Sequence, residues 1–202
     1  MKKYEFTGET KQIDCLSRTV TLHRIKAVAS FGLIKAEELG GWIEKEENLS
    51  HEGNAWVYGD AEVFGTARVY GNARVFGNAW VCGNAKVCGN ARVYGNAEVY
   101  GDAEVYGDAE VCGNAKVCGD AEVFSAGHVL VIGAIGSRND FTTFYRDRDN
   151  EITVRCGCFL GKIDRFLEKV TQTHGDSKDA LVYRAAVEVA KLQIDLTEKK
   201  SK

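Results

Sequence analysis

A six-residue phrase repeats without a break from Gly53 to Phe124 and dominates the chain. Each copy reads Gly-(Asn/Asp)-Ala-x-Val-(Tyr/Phe/Cys), and only Thr66 departs from Asn or Asp after the glycine. Such a short, unbroken period is the sequence signature of a solenoid, in which each repeat buries its apolar side chains against the repeats above and below it. The repeat therefore restricts the chain to an elongated, coiled architecture.

The chemistry of one repeat predicts the shape of one coil. In Ala-x-Val the alternation sends Ala and Val to one face of a short strand and x to the other. Gly-Asn and Gly-Asp supply backbone that tolerates the positive φ of a sharp corner. One repeat thus makes one flat side and one corner, and three repeats close a triangular coil. Residues 53–124 then form about four coils, with Ala and Val filling the narrow interior.

This pattern resembles the hexapeptide repeat of left-handed parallel β-helices, and a right-handed, bactofilin-like β-helix is the structural alternative. The segment GGWIEKEENLSHEGNAWV, residues 40–57, with the strands expected before it, is similar to the YdcK-like group of hexapeptide-repeat proteins. That resemblance spans residues 3–124. Many members are labelled transferase or polymer-forming, so the resemblance implies the fold and leaves the function open.

The rest of the chain divides into a cap, a small module and a tail. The predicted boundaries are 1–52 for an N-terminal β cap, 53–124 for the solenoid, 125–198 for a C-terminal α+β module and 199–202 for a disordered tail. The expected fold class is mainly β, a left-handed parallel β-helix with smaller elements at both ends. The terminal repeats of a solenoid must be covered in this way.

Stacking at the coil period of eighteen residues predicts which outward side chains become neighbours. The three expected columns are Arg68, Lys86, Glu104 and Glu122; Trp56, Arg74, Arg92 and Glu110; and Glu62, Trp80, Glu98 and Lys116. Successive members of a column should lie about 4.8 Å apart, the spacing of neighbouring strands. We expect these columns to form a solvated, charged surface.

The position after valine is never charged, and alternation points it outward along the edges of the prism. It holds aromatic rings and thiols, which is more apolar surface than a solitary monomer usually exposes. Either a covering domain or self-association can bury it. We predict a homo-oligomer, with a trimer favoured because β-helix proteins of this type often pack three prisms in parallel. The expected interface residues are Tyr58, Phe76, Tyr94, Tyr100 and Tyr106.

In the cap, residues 4–6 and 19–28 are expected to form strands, the second being rich in β-branched residues. Trp42 is expected to seal the open end of the apolar prism. Ile43 and Leu49 fall on the alanine register of the repeat. We therefore expect partial coils to precede the first full repeat.

In the module, the strands are expected at residues 128–132, 141–146 and 152–156. Two amphipathic helices follow, the first marked by Ile163, Phe166, Leu167 and Val170 and the second capped by Asp176 or Ser177. The predicted order is βββαα. Residues 128–194 are similar to a small module in proteins of bacteriophages and mobile elements, a resemblance that implies no catalytic residue.

The best candidate for a binding site is the turn that runs from Gly133 to Arg138 after a predicted strand. Its backbone N–H groups, the Ser137 hydroxyl and a guanidinium suit a phosphate or carboxylate. A purely structural turn is the alternative, as is a local salt bridge between Arg138 and Asp140. Lys162 can add a positive charge if the fold brings it near. The candidate ligand-binding set is Gly133, Gly136, Ser137, Arg138, Asp140 and Lys162.

The seven cysteines predict neither a disulfide framework nor a metal site. Cys82 and Cys118 share a predicted face two coils apart, about 9.6 Å, which is beyond disulfide reach. Cys156 and Cys158 flank a glycine, but they form only half of a zinc site, so buried thiols are the favoured interpretation. We expect free thiols in a reducing cytosol, and no metal or cofactor.

Composition narrows the possible partners and compartment. The formal net charge is −3, so a general nucleic-acid binder is not expected. No apolar run approaches the length of a membrane span, and the N-terminus lacks the apolar core of a signal peptide. We therefore expect a cytoplasmic protein of a bacterial or phage-infected bacterial cell, without membrane contact.

Three function classes are compatible with these patterns. Hexapeptide-repeat acyltransferases resemble one another in having a general-base histidine on a coil and a protruding loop. Residues 53–124 contain no histidine and no insertion, and His51 and His128 only flank them. No catalytic residue is therefore predicted. A structural, polymer-forming protein needs open prism ends, and both ends of this solenoid are expected to be covered.

The preferred hypothesis is a non-enzymatic oligomeric binding protein with the solenoid as its rigid scaffold. Phage proteins of this kind can bind and withhold nucleotide immune signals, which is what the resemblance of the C-terminal module implies. Together with the Gly-Ser-Arg turn, this resemblance suggests that the module sequesters a small anionic, nucleotide-like ligand.

Overall fold

The computed structural model describes residues 2–15 and 18–198. Within these residues the fold is mainly β: a β-solenoid of about five turns carries a β hairpin at its start and a small module of sheet and helices at its end. The expected fold class is confirmed, and the left-handed sense of the coil stays a prediction. The predicted tail at 199–202 lies outside the described residues.

The elements follow one another in three groups. The chain starts with β1 (Tyr4–Cys15), β2 (Arg18–Ala27) and β3 (Leu39–Ile43). The rungs of the solenoid are β4 (Trp56–Val57), β5 (Glu62–Val63), β6 (Arg68–Val69), β7 (Arg74–Val75), β8 (Trp80–Val81), β9 (Lys86–Val87), β10 (Arg92–Val93), β11 (Glu98–Val99), β12 (Glu104–Val105), β13 (Glu110–Val111), β14 (Lys116–Val117) and β15 (Glu122–Val123). The module contains β16 (Val129–Ile135), β17 (Asp140–Arg146), β18 (Ile152–Cys156), β19 (Phe159–Lys162), α1 (Ile163–His174) and α2 (Lys178–Gln193).

The rungs stack in parallel at the predicted period. On one face β5, β8, β11 and β14 pair in register, so that Val81 lies over Val99 and Val99 over Val117. The other two faces are β4-β7-β10-β13 and β6-β9-β12-β15, and the expected stacking within all three columns is confirmed. The expectation of a solvated surface was wrong for Trp56, Glu62 and Glu122, which are buried. Every alanine and valine of the repeat is 0% exposed. The prism interior is therefore dry and built from small aliphatic side chains.

Stacked glycines and amides hold the corners. The repeat glycines have φ between 58° and 75°, which side chains with a Cβ rarely adopt. A Cβ built on Gly83 would lie 2.9 Å from the backbone nitrogen of Gly101 in the next coil, so the corners also need glycine for close approach. Outside them, Asn72 donates to Asn90 at 3.2 Å and Asn90 to Asp108 at 2.9 Å. The amide ladders tie successive coils together.

The first coil is longer than the others, and this changes the register of the partial coils. Ile43 pairs with Val63 and Leu49 with Val69, twenty residues on in each case. Partial coils therefore precede the first full repeat, as expected. The assignment of Ile43 and Leu49 to the alanine register was wrong, because both lie on valine rows. The two additional residues lie between Leu49 and Val57.

Trp42 does not seal the prism. It pairs with Glu62 in the outward column, so its ring points away from the interior and packs under the β1–β2 hairpin with Val20, Leu22 and Phe64. The interior is instead continued by Tyr4 and residues around it, which share its hydrophobic core. The Tyr4 hydroxyl donates to the Leu49 carbonyl oxygen at 2.8 Å. The strand expected at residues 4–6 is one arm of a longer hairpin.

The module has one strand more than predicted. Its antiparallel sheet has the order β16-β17-β18-β19, followed by α1 and α2, so the order is ββββαα. The fourth strand was missed because it is only four residues long and contains Gly161. The Ser177 side chain caps α2 by accepting from the Ala180 N–H, as expected. None of the helices in the described ranges is long and apolar enough to cross a membrane.

Strand β17, one of the two inner strands of the module sheet, lies across the last coils and covers the end of the prism. Tyr145 is 0% exposed, belongs to the solenoid core and donates its hydroxyl hydrogen to the Cys118 carbonyl oxygen at 2.9 Å. Thr143 accepts from the Lys116 N–H at 3.0 Å. Phe144, on the opposite face, packs with the two helices. The sheet is therefore sandwiched between the solenoid and α1–α2, which fixes the module to its scaffold.

Candidate functional site

The glycines of the predicted anion-binding turn have packing roles. Gly133 lies within strand β16, so the turn was placed wrongly at its start: it spans residues 136–139 and is closed by the Asn139 N–H on the Gly136 carbonyl oxygen at 3.0 Å. A Cβ on Gly133 would come within 2.1 Å of the Phe141 ring, and one on Gly136 within 2.0 Å of the Tyr183 ring. Close ring packing thus explains both glycines.

The structure does not bring Lys162 to this turn. Lys162 faces Thr153 at the far end of the β18–β19 pair, where its ammonium contacts the carboxylates of Asp147, Asp149 and Glu151. Asp147 is fully buried and also accepts from the Thr153 hydroxyl at 2.6 Å. The lysine balances one of the three carboxylate charges and joins them in a structural ion-pair network. Lys162 was therefore wrongly included in the predicted ligand-binding set.

Asp140 is also separate from the binding groups. Its carboxylate accepts from the Phe141 N–H at 2.7 Å, and among the described residues it forms no ion pair with Arg138. The local salt bridge considered from the sequence is therefore not formed. Ser137 and Arg138 remain together at the turn, and both side chains are exposed.

Ser137 and Arg138 form one wall of a hollow that we call the module pocket. Its volume is about 530 Å³, and its other walls are the β18–β19 turn, α1 and Tyr183 of α2. The polar lining residues are Ser137, Arg138, Lys169, Thr173, His174 and Tyr183. The floor is formed by Phe159, Phe166 and Val170, and two thiols, Cys156 and Cys158, lie beside the turn. None of the described lining residues is acidic.

Two cations at the pocket have no acidic partner. Among the residues that the structure describes, neither Arg138 nor Lys169 forms an ion pair, and both side chains are exposed. The guanidinium of Arg138 reaches across to the neighbouring turn: a Cβ on Gly157 would lie 2.8 Å from its Nη1 atom. The His174 ring lies 5.7 Å from the ring of Tyr183. Together with the absence of acids in the lining, this makes the pocket a positively charged hollow.

Tyr183 links the turn to the sheet. Burial and then the neighbouring Cys156 thiol raise the pKa of Tyr183 above its ordinary value, while a hydrogen bond with Ser137 acts in the opposite direction. Cys156 Sγ in turn accepts from the Thr142 hydroxyl at 3.2 Å. Cys158 is exposed, so the expectation of two buried thiols was wrong for this residue. The two thiols of the pair therefore differ in environment.

Sequence reasoning missed Lys169 and His174 as pocket residues. Lys169 lies three residues after Phe166, and Val170 and Thr173 continue the same spacing along α1. The helical period that marked the apolar stripe also places Lys169 at its border. The sequence could therefore have placed Lys169 at this border, but only the tertiary packing shows that the border faces Arg138.

The two histidines that flank the solenoid are poorly placed as general bases. His51 Nδ1 accepts from the Lys3 N–H at 3.2 Å, and His128 Nδ1 accepts from the Phe124 N–H at 3.3 Å. A neutral imidazole whose Nδ1 is an acceptor carries its proton on Nε2, so neither ring keeps a free lone pair for a substrate proton. His128 is also 0% exposed. A hollow of about 450 Å³ beside His51 is lined by Glu46 and other residues of the first coil.

The predicted oligomer residues occupy different environments. Tyr58, Phe76 and Tyr94 form one partly exposed ladder, with ring centroids 6.4 and 4.8 Å apart. Tyr100 accepts from Arg155 Nε at 3.0 Å, which is a contact with the protein's own module. Tyr106 stacks on Phe124 at 5.2 Å. The ladder of Tyr58, Phe76 and Tyr94 is thus the part of the set that the module leaves open.

Comparison with known proteins finds a similar type of repeat. A family model described as YdcK Beta solenoid repeat matches residues 67–83 and 85–101, so this part of the solenoid is similar to that repeat. A segment of the chain is 37% identical over 62 residues to the "Uncharacterized acetyltransferase YdcK" of Escherichia coli (strain K12). The matched segment spans 29% of this chain and 19% of that relative. The resemblance of residues 128–194 to a module of bacteriophage proteins stays a prediction.

Proposed function

We propose that this protein is an oligomeric binding protein whose solenoid holds a module that binds a small anion of the nucleotide type without converting it. The observation that carries the proposal is the module pocket, in which Arg138 and Lys169 lack acidic partners among the described residues and none of the described lining residues is acidic. Two uncompensated cations at one concave site favour an anionic ligand. The pocket volume of about 530 Å³ lies within the range of ligand sites.

The remaining lining fits a phosphate attached to an apolar ring. Arg138 offers a planar fork of donors that matches two phosphate oxygens, Lys169 offers a compact charge, and Ser137 offers a hydroxyl. The partly exposed ring of Phe159, supported by the buried ring of Phe166 at 5.2 Å, offers an aromatic surface on which a base can stack. Within the described residues, no thiol or hydroxyl is hydrogen-bonded to a histidine, so retention of the ligand is favoured over turnover.

Replacing Arg138 by alanine is expected to weaken binding about ten- to a hundredfold, because a charged hydrogen bond contributes about 1.5 to 3 kcal/mol. Titration calorimetry with adenosine monophosphate, cyclic dinucleotides and inorganic phosphate measures this change. The melting temperature without ligand should stay the same, since the side chain is exposed.

The matched control for Arg138→Ala is Arg165→Ala, because Arg165 is an exposed arginine of α1 that does not line the pocket. Its removal should leave affinity unchanged. Equal affinities of Arg138→Ala and the wild-type protein would contradict the proposed site, as would unfolding of the module by that substitution.

The oligomeric part of the proposal rests on the open ladder of Tyr58, Phe76 and Tyr94. A second copy of the chain is the proposed partner, with three copies favoured. Replacing Phe76 and Tyr94 by glutamate should therefore dissociate the assembly into chains of 22.2 kDa, as measured by light scattering at micromolar concentration. Leu192→Glu, at a side chain 89% exposed on α2, is the control and should leave the mass unchanged. A monomeric wild-type protein would overturn this part.

We further propose a cytoplasmic location. All seven cysteines are free, which fits a reducing compartment.

Acetyl transfer is the second candidate function, because the name of the YdcK relative describes that protein as an acetyltransferase. Incubation with acetyl-coenzyme A and amine acceptors, followed by mass spectrometry, separates the two candidates. Under our proposal the thioester is recovered intact. Enzyme-dependent transfer that is lost in His51→Ala or His174→Ala would favour the alternative.

A further inference from the structure

One cysteine of the chain differs from the others in its exposure. Cys158 is exposed, whereas the remaining six are partly or fully buried, and all seven are free. Burial raises the pKa of Cys82 to about 12 and also raises that of Cys88. A thiol with a raised pKa is a poor nucleophile at neutral pH, since the thiolate is the reactive form. Accessible thiol chemistry in the native protein is therefore concentrated at Cys158.

The position of Cys158 places it among positive charges. It lies in the two-residue turn between β18 and β19, next to Gly157. A Cβ built on Gly157 would lie 2.8 Å from Nη1 of Arg138. Lys169 lines the same pocket. Both cations attract anionic reagents to the place where the thiol lies. Cys156 is less available, because its sulfur is half-buried and already accepts from the Thr142 hydroxyl.

We propose that Cys158 is a covalent modification site for small disulfides that carry carboxylates, which the module pocket attracts and orients. The Cys158 thiolate attacks one sulfur of the disulfide, a new S–S bond forms to the protein as the old one breaks, and the other half leaves as a thiolate with the electron pair. Cys158 is oxidised and half of the reagent is reduced, so no other oxidant is needed. The inference rests on the proposed function, because the same cations hold the carboxylates.

The effect of reagent charge on the reaction rate distinguishes this site from a thiol that is merely exposed. An exposed thiol on a neutral surface reacts with charged and uncharged disulfides according to their intrinsic reactivity. A thiol beside Arg138 and Lys169 experiences a raised local concentration of anions, by about tenfold or more. Preference for an anionic disulfide that disappears at high salt is therefore expected.

The test compares two reagents on the full-length, reduced protein: dianionic dithionitrobenzoate and neutral dithiodipyridine. One fast thiol per chain is expected with the anionic reagent, and peptide mass spectrometry should locate the adduct on Cys158. Cys158→Ser should lose the fast phase, and Cys156→Ser should keep it. Arg138→Ala should slow the anionic reagent about tenfold while the neutral reagent keeps its rate.

A fast thiol located elsewhere in the chain would overturn the inference, as would equal slowing of both reagents by Arg138→Ala. Calorimetry with nucleotides under reducing conditions separates this outcome from failure of the proposed function. Nucleotide binding without a preference for the anionic reagent would contradict only the proposed modification site. A preference for the anionic reagent without nucleotide binding would support the modification site and contradict only the proposal of a nucleotide-like ligand.

Discussion

Val99→Asp is expected to destabilise the solenoid by about 4 kcal/mol or more, which is enough to unfold several coils. Val99 is 0% exposed and lies in register between Val81 and Val117 inside the prism. The alanine and valine lining offers no partner to a carboxylate, and the narrow interior gives it no route to water. Circular dichroism melts and denaturant titration measure the loss.

Glu98→Gln is the matched control for Val99→Asp, because it changes the neighbouring residue on the outside of the same rung. Glu98 forms an exposed ion pair with Lys116 at 2.8 Å, and such pairs contribute about 1 kcal/mol or less. The melt of this variant should be close to that of the wild-type protein. Similar losses for both variants would show that the assigned register of the rungs is wrong.

Tyr145→Ala is expected to cost about 3 to 5 kcal/mol, the range for removing a large buried ring. Tyr145 is 0% exposed and belongs to the hydrophobic core of the solenoid. Its loss removes the ring that covers the last coil and exposes apolar surface and unpaired strand edges. We therefore expect the variant both to melt earlier and to associate end to end. Sedimentation at increasing concentration measures the second effect.

Tyr145→Phe separates the ring from the hydroxyl. It keeps the ring over the prism and removes the hydroxyl, which donates to the Cys118 carbonyl oxygen and also contacts Cys118 Sγ at 3.5 Å, at a cost of about 1 kcal/mol. Its assembly state should equal that of the wild-type protein. If Tyr145→Ala stayed as stable and as dispersed as Tyr145→Phe, the ring would not close the solenoid, and a polymer-forming role would regain support.

The solenoid was predictable because its contacts are dictated by a fixed sequence interval. Once the corner glycine and the Ala-x-Val side were recognised, every column followed from counting, and the pairing of Glu98 with Lys116 needed no tertiary information. Counting failed before Gly53, where Leu49 to Val57 spans eight residues instead of six. Gly53 marks that corner in phase with the repeat, but the corner holds two additional residues, so the register of Ile43 could not be derived by counting back.

The candidate site was only partly predictable, since tertiary packing decides which side chains meet. The hydroxyl and guanidinium of Ser137 and Arg138 were recognised from the turn chemistry. Lys162 was grouped with them on charge alone, but the short strand β19 carries it to the opposite end of the sheet. Lys169 replaces it at the pocket, because the α1 face bearing Phe166 turns toward the sheet.

The number of repeats also sets the distance and the relative orientation of the two ends of the protein. Each complete coil is equivalent to the next, so loss or gain of three repeats would move the module by about 4.8 Å along the axis without turning it. Loss of a single repeat would instead swing the module by about 120° to another face, because one repeat is one side of a triangle. The separation of hairpin and module can thus vary in evolution only in steps, and three repeats are the step that preserves their relative orientation.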